Sequence, residues 1–289
     1  MVSMPRSGSV RCLSSGGFHT MRYLEWGAAG NPQVLVCVHG LTRVGRDFER
    51  LAVALCDQYR IVCPDVAGRG RSDWLADARL YAVPQYAFDM TNLIARLDVE
   101  SVQWLGTSMG GLIGLSLAGQ PNSPISRLVL NDVGPRLELE ALQRIGEYVG
   151  KPMHFDSLEQ AKDYIRSISA SFGLQTADEW LELARSVVRP DAGGWALHYD
   201  PGIGQSFKAL SAETAAAGEA NLWKLYDAIR CPTLLLRGAQ SDLLSPQTAA
   251  EMTQRGPKAQ LVQIEGVGHA PMFFDAAQIA IVRRFLLAA

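Results

Sequence analysis

Six short β-rich runs, each closed by a turn containing glycine or aspartate, set the frame for what this chain can fold into. They are VLVCVHG (34–40), RIVCPDVAG (60–68), VQWLG (102–106), RLVLNDVG (127–134), TLLLRG (233–238) and LVQIEGVGH (261–269). Between most of them lie stretches with helical spacing, at 47–57, 84–98, 108–120, 246–256 and 273–287. Strands that alternate with helices cannot pair through hairpins, so they predict a mostly parallel sheet with helices on both faces. The continuous apolar character of the strands agrees with burial on both sides. A preceding pair, 11–16 and 19–26 around SGG, reads as an antiparallel hairpin at the edge of that sheet.

The alternation stops between Pro135 and Arg230. LEALQRIGEYVG, SLEQAKDYIRSISASFG, TADEWLELARSVV and ANLWKLYDAI carry helical periodicity and little strand character. The expected organisation is therefore a core formed by 1–134 and 231–289, interrupted by a helical cap over 135–230. No low-complexity linker or internal repeat marks off a separate domain. Within the cap, ALHYDPGIGQSF (196–207) is rich in Gly and Pro and is expected to be a loop at the rim of a pocket.

Composition narrows the chemistry. Lys and Arg number 27 against 29 Asp and Glu, so no charge bias points to nucleic acid or an anionic membrane. Five scattered cysteines form no C-x-x-C pair and read as reduced packing residues. The N-terminus lacks the apolar core of a leader, and no apolar run approaches membrane-spanning length, so a cytoplasmic location is expected.

In a parallel sheet all strands end on one edge, where polar residues far apart in sequence can converge. Here those residues are His39, Asp65, Ser108, Asp132, Asp242 and His269. Ser108 lies in Gly106-Thr107-Ser108-Met109-Gly110, a G-x-S-x-G between a strand and a helix. Such a serine sits on a tight turn with its hydroxyl exposed, and the crowding of that turn explains Gly106 and Gly110. A serine hydroxyl needs a base to become a nucleophile, and His269, in the glycine-flanked loop after the last strand, is the best-placed candidate. His154 and His198 in the cap, and His19 on the hairpin, read as surface or hydrogen-bonding residues. The histidine in turn needs a carboxylate to orient it. Asp242, after TLLLRGAQS, is the expected acid. Asp132, one strand earlier, is its rival and is otherwise assigned to the turn into the cap, while Asp65 is expected to organise its own loop. The N–H groups of Met109, at a helix start, and Leu41, after VCVHG, are the expected oxyanion donors, with His39 and Gly40 shaping the second loop.

With HG, GxSMGG and GxGH in this order, the chain resembles the α/β-hydrolase superfamily, specifically its capped esterase/lactonase-like branch, from about Gly17 to Leu287. The resemblance implies an eight-stranded, mostly parallel α/β-hydrolase sheet and a serine hydrolase that needs no cofactor or metal. Its expected partner is a small-molecule ester or lactone. DVAGRGRSD resembles the family loop usually written D.PG.G.S, with Ala67 where proline is common. Hydrolysis of a C–C bond by the same triad is the alternative chemistry, weakened by Thr107, where those relatives carry asparagine. A triad-bearing ligand receptor is the alternative outside enzymes. Arg43 and Arg46 near the oxyanion loop leave an acidic substrate open, although solvated arginines flanking a helix are the expectation. Among the cap aromatics Trp180, Trp195, Trp223, Tyr148, Phe155, Phe172, Tyr199 and Phe207, most are expected to pack the cap against the core.

Overall fold

Every residue of VLVCV is buried in the computed structural model of the chain, which describes residues 4–208 and 210–288; the first three residues of the N-terminal segment judged above lie outside them. This run forms a central strand, and successive side chains face opposite ways. Val34, Val36 and Val38 enter one core, and Leu35 and Cys37 enter the other.

In chain order the first part comprises β1 (Arg6–Ser14), β2 (Gly17–Trp26), β3 (Val34–Val38), α1 (Glu49–Leu55), β4 (Arg60–Asp65), α2 (Val83–Leu97), β5 (Val102–Thr107), α3 (Met109–Ala118) and β6 (Ile125–Asn131). Between β6 and the next strand of the main sheet come α4 (Leu139–Tyr148), β7 (His154–Phe155), α5 (Leu158–Ile168), α6 (Ala177–Val187), β8 (Val188–Asp191), β9 (Gly194–Leu197), α7 (Gln205–Lys208) and α8 (Ala212–Ala228). The chain then completes the sheet with β10 (Thr233–Gly238), α9 (Pro246–Met252), β11 (Gln260–Ile264) and α10 (Ala276–Leu286).

Among the described residues the main sheet has eight strands in the order β1-β2-β4-β3-β5-β6-β10-β11. The β1–β2 and β2–β4 pairs are antiparallel and all later pairs are parallel. One face is covered by α2 and α3, through Met90, Leu93 and Ile113, and the other by α1 and α10, through Leu51, Leu55, Val282 and Phe285. Helix ends follow local chemistry. Pro84 occupies the first turn of α2, and Asp98, with φ 56°, terminates it. Thr176 and Glu179 form a reciprocal capping box at α6. The chain leaves β3 toward β4 on one side and later returns to place β5 on the other, so the sheet has a switch point between the ends of β3 and β5.

The inserted segment is not wholly helical. β7, β9 and β8 form a three-stranded antiparallel sheet, turned at Ala192 and Gly193, which both have positive φ. Pro190 breaks the strand pattern in the sequence, yet it is tolerated because β8 lies on the edge of this small sheet. The 196–207 stretch continues β9 to Leu197 and then forms a 3-10 turn at Pro201–Gly204 and the short α7. No helix among the described residues is long and apolar enough to cross a membrane.

Candidate active site

Gly106, next to last in β5, packs against α3 so closely that a Cβ would lie 2.2 Å from the Gly110 backbone, and a Cβ on Gly110 would lie 2.0 Å from the Val38 carbonyl oxygen. Only hydrogen fits at either position. Ser108 between them takes φ 51° and ψ −117°, a strained conformation for a residue with a side chain, held by its N–H donating to the Asn131 carbonyl. Thr107 accepts from Asn131 Nδ2 at 2.9 Å, and the same amide donates to the Pro271 carbonyl. Asn131 thereby ties the serine turn to the loop that carries His269.

His269 Nε2 lies 2.9 Å from Ser108 Oγ, and its Nδ1 lies 2.7 Å from Asp132 Oδ2. A carboxylate accepts only, so Nδ1 carries the proton and Nε2 is left to accept from the serine hydroxyl. Asp132 is fully buried at the end of β6, with φ 56°. Its Oδ1 accepts from the Gly238 N–H at 2.9 Å, and its Oδ2 also accepts from Ser241 Oγ at 2.6 Å.

The expectation for Asp242 is corrected by this geometry. The turn after β10 closes with the Ser241 N–H on the Gly238 carbonyl, which brings Ser241 inward to Asp132. Asp242 faces the rim, with its side chain 45% exposed, and pairs there with Arg144 of α4. Asp132, the rival, is the carboxylate on His269. Asp65 organises its own loop as expected, accepting from the N–H groups of Gly45 and Arg71.

His39 and Gly40 shape the loop after β3. His39 Nε2 accepts from the Val66 N–H at 3.0 Å, so Nδ1 carries hydrogen and donates to the Gly40 carbonyl at 2.7 Å. Burial pushes this imidazole from 6.5 down to about 3, which keeps it neutral. The Arg43 N–H also donates to the Gly40 carbonyl, and in a trans peptide this turns the Leu41 N–H the opposite way. A Cβ on Gly40 would lie 3.7 Å from Ser108 Cβ, so the loop sits against the serine. Among the described residues neither the Leu41 nor the Met109 N–H has a protein acceptor.

Arg69 is one residue that sequence reasoning missed. It is fully buried, donating to the Leu41 and Ala67 carbonyls and the Tyr86 hydroxyl at 2.8 Å each, and to Met109 Sδ at 3.5 Å. The signal available was GRGRS itself, a long cation between two glycines.

A cavity of about 100 Å³ opens on Ser108 and His269, lined mainly by apolar groups from both the core and the inserted segment. Tyr148, Phe172 and Tyr199 line it, whereas Trp180, Trp223 and Phe155 are packing residues. Arg43 is buried rather than solvated and grips Asp47 with two bonds of 2.7 and 2.8 Å; Arg46 is exposed on Glu49. Of the remaining histidines, His154 is exposed and His198 half-buried, with burial lowering its pKa. His19 is buried under the hairpin, 2.9 Å from Asp89 and beside Cys12, and fastens β2 to α2 away from this cavity.

A family model described as the alpha/beta hydrolase fold matches residues 33–276, and the chain belongs to that family of hydrolases. The chain is 55% identical to a 3-hydroxybutyrate-oligomer hydrolase of Cupriavidus necator, with all of both chains covered. It is 28% identical to an N-formylmaleamate deformylase of Pseudomonas putida, covering 89% of this chain and 88% of that one. Among solved structures, an alpha/beta hydrolase from Novosphingobium aromaticivorans matches with a TM-score of 0.86 and 34% identity over 99% of both chains.

Proposed function

We propose that the chain is a serine hydrolase that cleaves the ester bonds of short 3-hydroxybutyrate oligomers through an acyl-enzyme. The observation that carries the chemistry is the continuous relay from Ser108 Oγ through His269 to Asp132. Ser108 Oγ attacks the ester carbonyl while its proton passes to His269 Nε2, and Asp132 stabilises the imidazolium. The Leu41 and Met109 N–H groups receive the oxyanion. Collapse breaks the C–O bond, and the departing alcohol oxygen takes the proton from Nε2. Water, deprotonated by the same nitrogen, then attacks the acyl-serine, and the proton returns to Ser108 as the acid is released.

The substrate class rests on the Cupriavidus relative and on size. Cavities of about 150 Å³ accept benzene, so about 100 Å³ suits a unit of roughly four carbons. The inserted segment acts as a cap whose residues close that cavity. Five unpaired cysteines fit the expected cytoplasmic location.

The test is hydrolysis of the linear 3-hydroxybutyrate dimer and trimer, beside labelling with a fluorophosphonate. Ser108→Ala is expected to abolish both, and Asp132→Asn to lower kcat by about 10⁴. An Asp132→Asn enzyme that keeps wild-type rates, with the loss falling instead on Asp242→Asn, overturns the assignment of the acid.

A further inference from the structure

Two guanidinium groups line the cavity, and they differ in how much of each is already used. Arg43 is buried, and its fork is held by both oxygens of Asp47. Arg144 projects from α4 beside Ile145 and Tyr148, which line the same cavity, and its side chain is 53% exposed, at the mouth. Its partner among the described residues is Asp242, through Nη1, so the edge formed by Nε and Nη2 is open.

We propose that Arg144 is the carboxylate-binding residue of this site and that Asp242 is the counter-ion which holds the guanidinium until substrate arrives. This rests on the hydrolytic reading above and names the substrate it selects, an ester whose alcohol part ends in a free carboxylate. In a dimer of a hydroxy acid the free carboxylate belongs to the leaving alcohol. A carboxylate approaching a mainly apolar cavity loses water and needs a cation to replace it. Arginine suits this role because its planar fork takes a carboxylate with two parallel bonds. An exposed pair such as Arg144–Asp242 contributes little stability, so opening or sharing it costs little. The loop that carries Asp242 keeps its place while the pair opens, since Ser241 is anchored on Asp132.

The experiment compares free acids with their methyl esters, using the 3-hydroxybutyrate dimer and, independently of oligomer recognition, 3-acetoxybutyrate. The quantity read is the ratio of kcat/KM for the acid to that for its methyl ester. Wild type is expected to favour the acids, by an advantage carried in KM that shrinks between about 50 and about 500 mM salt. Arg144→Ala is expected to lower the ratio about tenfold or more, Arg144→Lys to restore part of it, and Asp242→Asn to raise it. A ratio that is the same in wild type and Arg144→Ala, with unchanged thermal melting, overturns the proposal. Failure of wild type on the dimer together with cleavage of 3-acetoxybutyrate removes the oligomer reading and leaves the arginine tested. Cleavage by Ser108→Ala removes the triad reading instead.

Discussion

Arg69 makes no ion pair among the described residues, although it is fully buried. Its acceptors are neutral, and one of them is the carbonyl of Leu41, with the sulfur of Met109 beside it. A desolvated cation held this way acts at long reach in low dielectric and fixes the peptide that follows the Leu41 N–H. Arg69→Met is expected to lower kcat on a simple p-nitrophenyl ester by at least about tenfold while changing KM by less than about threefold. Steady-state kinetics beside thermal melting checks this, and a loss confined to stability contradicts it. His39 gives a second prediction, in pH. Its pKa is about 3 in the folded chain against 6.5 ordinarily, so between those values the unfolded state binds more protons. The stability that neutral His39 contributes is therefore complete above about pH 6.5 and is lost as pH falls through that window, by up to about 1.4 kcal/mol per pH unit. Urea unfolding of wild type and His39→Asn from pH 7 to about 4 should show this slope in the difference between them.

At this scale the meeting of Ser108 with His269 was legible and the carboxylate that reaches the same ring was not, for a physical reason. A strand-to-helix serine between glycines carries its geometry in adjacent residues, and a histidine after the last strand has one edge to reach. Asp132 and Asp242 follow neighbouring parallel strands, and the choice between them depends on which side chain the turn after β10 directs inward. That turn gives the inward place to Ser241, a residue no pattern singled out.

The β5–α3 junction is the element on which the proposed chemistry depends. α3 packs so near the sheet that a Cβ on Gly111 would lie 2.4 Å from Val133, and one on Gly114 2.3 Å from the Trp104 indole, whose Nε1 donates to the Gly110 carbonyl. At Gly110 the obstruction is the backbone of β3, which cannot move aside. Gly110→Ala is expected to cost about 3 kcal/mol or more, read as a lower urea midpoint, and to remove esterase activity even where the chain still folds. The alternation of strand and helix that builds this junction was readable because the inner parallel strands β3, β4, β5, β6 and β10 are mostly buried on both faces and largely apolar. The small sheet of the inserted segment was not readable. Its strands are two to four residues long and one contains a proline, so they are too short for a period of two to accumulate.

Across the whole molecule, the inserted segment is tied to the core beside Arg69. The Gly70 N–H donates to the His198 carbonyl, and the Asp200 N–H donates to the Gly68 carbonyl. The Asp200 carboxylate accepts from the Tyr81 hydroxyl at 2.5 Å and caps the following turn through the Gly202 N–H at 2.7 Å. Asp200→Ala removes both of these bonds. It is expected to weaken local protection of residues 198–204 by about 1–2 kcal/mol, seen as roughly tenfold faster amide exchange there, and to raise KM because Tyr199 lines the cavity. Exchange that is unchanged in this stretch would show that the tie lies elsewhere.

The position of Asp132 has a consequence for how this architecture can diversify. The proposed nucleophile and acid follow adjacent strands before residue 135, the proposed base stands after residue 230, and the groups that anchor the acid, Gly238 and Ser241, also follow the insertion. Among the described residues none between those limits contributes an atom to the relay, but Ser171 ties the insertion to the loop of His269, its carbonyl accepting from the Gly268 N–H and its hydroxyl donating to the His269 carbonyl. The segment is therefore exchangeable on one condition: a sequence grafted between the same two junctions should transplant substrate preference and leave the relay in place if it keeps an equivalent of Ser171, with Arg144 travelling with the graft and Asp242 staying behind.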